Sequence, residues 1–123
     1  MNIFSINISF RKSHQTYDKL TKLFCLDPLP SFQKGRFSEK VPSTWIFQIE
    51  KDEYFDFINH FLNILEPKFQ ALESLGINRK NKDIVFWYIY EYEHQCNMEF
   101  HPEEMIRLGQ AGIPLAISCF SKP

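Results

Sequence analysis

The run Ile84-Val85-Phe86-Trp87-Tyr88-Ile89-Tyr90-Glu91-Tyr92 constrains this chain more than any other segment. β-Branched and aromatic side chains, uninterrupted by glycine or proline, suit a pleated backbone and are stiff at χ1 in a helix. The start of the run has no polar alternation, so it predicts a central strand buried on both faces. Water is reached only toward Glu91 and Glu93. Such a strand needs neighbours, and the rest of the chain must supply them.

Phe4, Ile6, Ile8 and Phe10 alternate with Ser5, Asn7 and Ser9, which predicts a half-buried strand over Asn2 to Phe10. A helix follows, capped by Ser13 and running to about Phe24 on Tyr17, Leu20 and Phe24, with Asp27-Pro28 as its stop. Pro28 to Gly35 reads as a loop, with a short extended piece near Phe37. Thr44 to Glu50 forms a second strand with Trp45, Phe47 and Ile49 on one face. Tyr54 to Leu75 carries a helical apolar stripe that Pro67 should kink or split and Gly76 should cap. After the aromatic run, Asn97 to Phe100 reads as a short returning strand. Pro102 and Glu103-Glu104 then open a helix to about Gln110 that Gly112 ends. Ile113, Leu115, Ile117 and Cys119 alternate in a last strand. The predicted order is β-α-β-α-β-β-α-β: an α+β chain with one mostly antiparallel or mixed sheet and helices packed on it, a ferredoxin-like sandwich. At 123 residues it has the length of a single domain.

No stretch of about 18 consecutive apolar residues is present, and the first residues alternate in polarity where a signal peptide would be uniformly apolar, so no membrane association is expected. Cys25, Cys96 and Cys119 are odd in number and far apart, which argues against a disulfide framework and for a reducing, cytoplasmic setting. Cys25 and Cys119, each among apolar neighbours, read as buried and inert. A net charge of -1 disfavours nucleic acid as a partner. The charge is unevenly spread: residues 1 to 47 hold seven Lys/Arg against three Asp/Glu, and residues 83 to 107 hold one Arg against six Asp/Glu. Arg11, Lys12, Lys19, Lys22, Lys34, Arg36 and Lys40 read as a solvated helix and loop.

The four glycines form neither G-x-G-x-x-G nor G-x-x-x-x-G-K-[ST], so those nucleotide-binding classes are set aside. His94, Cys96 and His101 are metal-ligand types without a fourth partner, and a hairpin with a polar turn and a buried thiol is the simpler reading. No cofactor is expected. Glu91 and Glu93 face one way from the same strand and could do acid–base work if enclosed, although an exposed strand end accounts for them. Tyr88, Tyr90 and Tyr92 share the opposite face. Three phenols in line need polar partners, so the outer two are expected to surface. Aromatics on a sheet could also stack RNA bases, but that needs Lys/Arg where this strand has Glu.

Several segments together resemble the bacterial domain-of-unknown-function family 4279. They are Leu20-Thr21-Lys22-Leu23-Phe24 with Leu26-Asp27-Pro28, Gln33-Lys34-Gly35, Ser43-Thr44-Trp45-Ile46-Phe47, Ile64-Leu65-Glu66-Pro67-Lys68, Asn97 to Glu104, and Leu108 to Ser118. The resemblance covers most of the chain. It implies a compact bacterial domain with no established activity and supplies no catalytic residue; the matching positions are structural, as at Pro28, Gly35, Trp45, Pro67 and Gly112.

The expectation is therefore a non-enzymatic protein-binding domain, an immunity protein that neutralises a cognate toxin such as a basic nuclease. Tyr90, Glu91, Tyr92, Glu93 and Glu99 would form its binding surface. The alternative is a small-ligand-binding or regulatory domain, or an enzyme of unknown type, with a pocket near Trp45, Trp87 and His94.

Overall fold

Among the described residues, four strands and four α-helices build one mixed sheet with helices on one face. The computed structural model describes residues 1–11, 15–30 and 43–122. The strands are β1 (Asn2–Phe10), β2 (Ser43–Lys51), β3 (Ile84–Tyr92) and β4 (Leu115–Ser121), in the spatial order β2-β1-β3-β4. β1 pairs antiparallel with both β2 and β3, and β4 joins β3 in parallel. Parallel neighbours need a crossover. Helix α4 (Pro102–Ala111) supplies it, and α1 (Gln15–Phe24), α2 (Phe57–Leu65) and α3 (Phe69–Ser74) complete the helical layer.

Alternation along each strand decides which side chains meet that layer. Phe4, Ile6, Ile8 and Phe10 of β1 stand beside Ile49, Phe47 and Trp45 of β2 and Tyr88, Phe86 and Ile84 of β3, and together they floor one core with Leu20, Phe57, Phe61, Leu65, Leu72 and Leu108 above. Trp45 is fully buried against Phe24, and its indole N–H donates to the Thr21 hydroxyl at 3.1 Å. The aromatic rings pack mostly tilted or edge to face, as at Phe61 and Phe86 with centroids 5.4 Å apart.

Pro67 splits the long apolar stripe as its missing amide requires: a 3-10 turn at Glu66–Lys68 separates α2 from α3. Asp56 caps α2 by accepting from the Asn59 N–H at 3.2 Å, so Tyr54 stands before the helix. Gly112 closes α4 at φ 71, and the Arg79 guanidinium donates to the Ala111 carbonyl at 2.8 Å. Arg107 ties α4 to α2 through Asn59, Asn63 and Glu66, at 2.7, 2.8 and 3.0 Å.

The structure departs from expectation at four points. Asn97 to Phe100 is not a strand, and the order of strands and α-helices is β-α-β-α-α-β-α-β, one strand fewer than predicted and with the long helix split in two. Both edges of β3 are already taken, by β1 and β4, which leaves a returning hairpin strand no ladder to join. The helix-on-sheet layering is that of a ferredoxin-like sandwich, reached by a different chain path. β3 is sealed on one face only: Val85, Trp87 and Ile89 point away from the helices and are half-buried. Helix α1 ends at Phe24 as expected, but what stops it is Cys25, which turns left-handed at φ 54 before Asp27-Pro28 is reached. Cys25 and Cys119, expected inside, are both exposed. The expected cap Ser13, the turn at Gly35 and the extended piece near Phe37 lie outside the described residues.

Candidate functional site

Where β3 outruns the helices, the sheet opens into a cleft of about 750 Å³. Pairing explains which residues meet there. Asn2, at the start of β1, registers with Lys51 at the end of β2 and with Tyr90 near the end of β3, so residues 51–54 and 90–93 are brought side by side. Asn2 is buried at their junction: its amide donates to the carbonyls of Lys51 and Asp52 at 3.4 and 3.1 Å, and its Oδ1 accepts from the Tyr88 hydroxyl at 2.7 Å. That bond satisfies a phenol that is only 3% exposed. Burial, with Tyr90 beside it, pushes the Tyr88 hydroxyl up to about 12.

From this floor the tyrosines climb outward. Tyr88 and Tyr90 have ring centroids 5.9 Å apart, and Tyr90 stacks on Tyr92 at 6.4 Å. Tyr54 closes in from the other side at 5.9 Å from Tyr88, and Phe100 packs edge-on to both. Met98 and Phe100, the apolar residues of the supposed strand, pack on the core and hold residues 93–99 as one wall of the cleft.

All five residues singled out in the sequence, Tyr90, Glu91, Tyr92, Glu93 and Glu99, line this one cleft. Glu91 alternates with the tyrosines along β3, but the cleft wraps around the strand's end and takes in both sides. Asp52 and Glu53 join them, giving five carboxylates among the described residues, and the one lysine among those on the lining, Lys122, is bonded to Glu93 at 3.2 Å. Asp52, Glu53, Tyr54 and Asn2 were missed. Their only sequence signal is the charged run Glu50 to Glu53, which gains meaning once antiparallel pairing sets it beside Tyr90. The pocket imagined near Trp45, Trp87 and His94 is contradicted: Trp45 is in the core, Trp87 points from the opposite face of β3, and His94 lies on the cleft wall.

A second polar cluster sits behind the cleft. Glu104 is 6% exposed at the start of α4; its carboxylate accepts from the His101 N–H at 3.3 Å and it shares a hydrogen bond with Asp56. Burial, then the bond to Asp56 and its charge, raises the Glu104 carboxyl above its ordinary range. Burial pushes Asp56 the same way, but hydrogen bonds from the Asn59 side chain and backbone outweigh it and leave Asp56 lowered. Of the two carboxyls, Glu104 is therefore the one that takes up a proton first as the pH falls. Tyr54, on the cleft lining, is raised as well, by burial first and then by the charges of Glu104 and Asp56.

Among the described residues no group of three or more His, Cys, Asp and Glu side chains is arranged to hold a metal ion, and no helix is long and apolar enough to cross a membrane. No family model, curated protein or solved structure matches the chain.

Proposed function

We propose that this chain is a protein-binding domain, an immunity protein that neutralises a cognate toxin by receiving a basic surface of it in the tyrosine- and carboxylate-lined cleft. One observation carries the reading: among the described residues, Asp52, Glu53, Glu91, Glu93 and Glu99 converge on a cleft with four tyrosines and a single lysine. Carboxylates at the rim steer a cationic partner and set register, and tyrosines supply rigid contact area with a polar tip. A basic nuclease fits this chemistry, because its own substrate is anionic and a carboxylate-rich surface competes for the same side chains.

The test begins with the product of a neighbouring reading frame that encodes a toxin domain, co-purified with this chain and measured by calorimetry and stopped flow. The double variant Glu91→Lys, Glu93→Lys should slow association about tenfold or more at low salt and flatten the salt dependence. Unchanged affinity in that variant removes the surface from the proposal. The cleft's volume also lies within the range of roughly 300–1,000 Å³ typical of small-molecule pockets. A small cationic ligand is therefore the second reading, favoured if charge reversal abolishes binding of a small amine and leaves protein partners unaffected.

A further inference from the structure

The geometry points to a reversible thiol–disulfide site formed by Cys96 and Cys119, which clasps the wall of the cleft to the edge strand β4. Cys96 lies on the segment that follows β3; Cys119 is in β4, registered beside Tyr90. Their sulfurs stand 2.8 Å apart although the residues are 23 apart in sequence. A covalent disulfide at ~2.05 Å needs only a small further approach. Both thiols are exposed, so an oxidant reaches them without any opening of the core. This inference does not depend on what the cleft binds.

Hydrogen peroxide, or another peroxide, is the oxidant class the site would take. The Cys96 thiol donates its hydrogen bond to the Cys119 sulfur, which leaves Cys119 the sulfur placed to attack first. Its attack breaks the O–O bond: one oxygen stays on Cys119 as a sulfenic acid, and the other leaves as hydroxide and takes the thiol proton to become water. The Cys96 sulfur then attacks the Cys119 sulfur, the S–S bond forms, the S–O bond breaks, and a second water departs with the Cys96 proton. Two thiols and one peroxide thus give one disulfide and two waters. A small-molecule dithiol reverses the step by exchange. The bond would hold Glu93, His94 and Glu99 at a fixed distance from β4, so the oxidation state sets how freely the carboxylate-bearing wall moves.

Cys25, equally exposed, has no neighbouring thiol and serves as an internal control. The full chain is treated with about one equivalent of hydrogen peroxide and followed by intact mass, peptide mapping and thiol alkylation. The expected product has lost two hydrogens, links the Cys96 and Cys119 peptides, keeps Cys25 alkylatable and reverts with dithiothreitol. Its Tm should rise by roughly 10 °C, as closing a loop of this length implies, and neither Cys96→Ser nor Cys119→Ser should show the rise. In Cys96→Ser a sulfenic-acid trap should label Cys119. The proposal is overturned if both thiols stay free while Cys25 oxidises, if Cys119 goes on to sulfinic acid with Cys96 intact, or if only intermolecular dimers form. A bridge that forms without any rise in Tm overturns the claim that it fastens the wall.

Discussion

The two ends of β3 use one residue chemistry for opposite purposes. Ile84 and Phe86 lie under the helical layer and are essentially without exposure, whereas Tyr90 and Tyr92, on the same face of the same strand, extend past it and are half-buried. Both pairs fit a pleated backbone equally well. What separates them is where the cover stops: Phe61 reaches Phe86, Phe57 reaches Tyr88, and beyond Tyr88 each tyrosine has mainly its neighbouring tyrosine. Strand propensity therefore fixes that the run is extended, and helix length fixes which part of it is core. The phenol hydroxyls follow the same division, since Tyr88 finds Asn2 inside and the outer two face the cleft.

Truncation at the two ends should expose the difference most strongly. Phe86→Ala removes a fully buried ring and should cost about 3–5 kcal/mol. Tyr92→Ala, which loses one stacked contact at 6.4 Å, should cost about 1 kcal/mol or less. Urea unfolding with a common slope measures both. Equal losses would mean that the outer tyrosines belong to the core and that the cleft is no separate region.

The carboxylates divide the same way, with a smaller effect. Asp83, just before β3, is buried, accepts from the Asn78 N–H at 2.8 Å and from Arg11 at 3.5 Å, and lends its carbonyl to the Ser9 N–H at 2.7 Å. Asp83→Ala strips the Asn78 amide of its acceptor and should cost about 1–3 kcal/mol. Glu93→Ala, at the far end, should stay within about 0.5 kcal/mol. A Glu93 variant as destabilised as the Asp83 one would show that the outer carboxylates are structural.

This division also explains what could be read from the sequence. Alternation in β1 and the Pro67 break were legible because period and missing donors are local properties. Asn97 to Phe100 misled because its apolar residues serve packing, Met98 on the core and Phe100 on Tyr88 and Tyr54, not a ladder, and only the pairing order reveals that β3 has no free edge. Tyr90, Glu91, Tyr92, Glu93 and Glu99 were legible as a cluster because they are near one another in the chain. Asn2, Asp52, Glu53 and the contact of Cys96 with Cys119 were not, since each depends on a register between distant segments.

The pair Asp56 and Glu104 gives the finest test, because it lies between the two regions and borders both. Glu104 in the folded chain holds its proton above the ordinary carboxyl range, so from that range upward the folded state binds more protons than the unfolded one and stability falls as pH rises. Asp56 is displaced the other way, and its contribution is lost as pH falls below the ordinary range. For these two groups stability should therefore peak close to the ordinary carboxyl values, at about pH 4. Glu104→Gln keeps an oxygen to accept from the His101 N–H and offers Asp56 an amide donor that cannot ionise. It should remove the decline on the alkaline side and, at neutral pH, gain on the order of 1 kcal/mol over the parent, read as the urea midpoint against pH. A variant whose midpoint declines in parallel with the parent would mean that Glu104 shares no hydrogen bond with Asp56, and that the caps of α2 and α4 are held by Arg107 and packing alone.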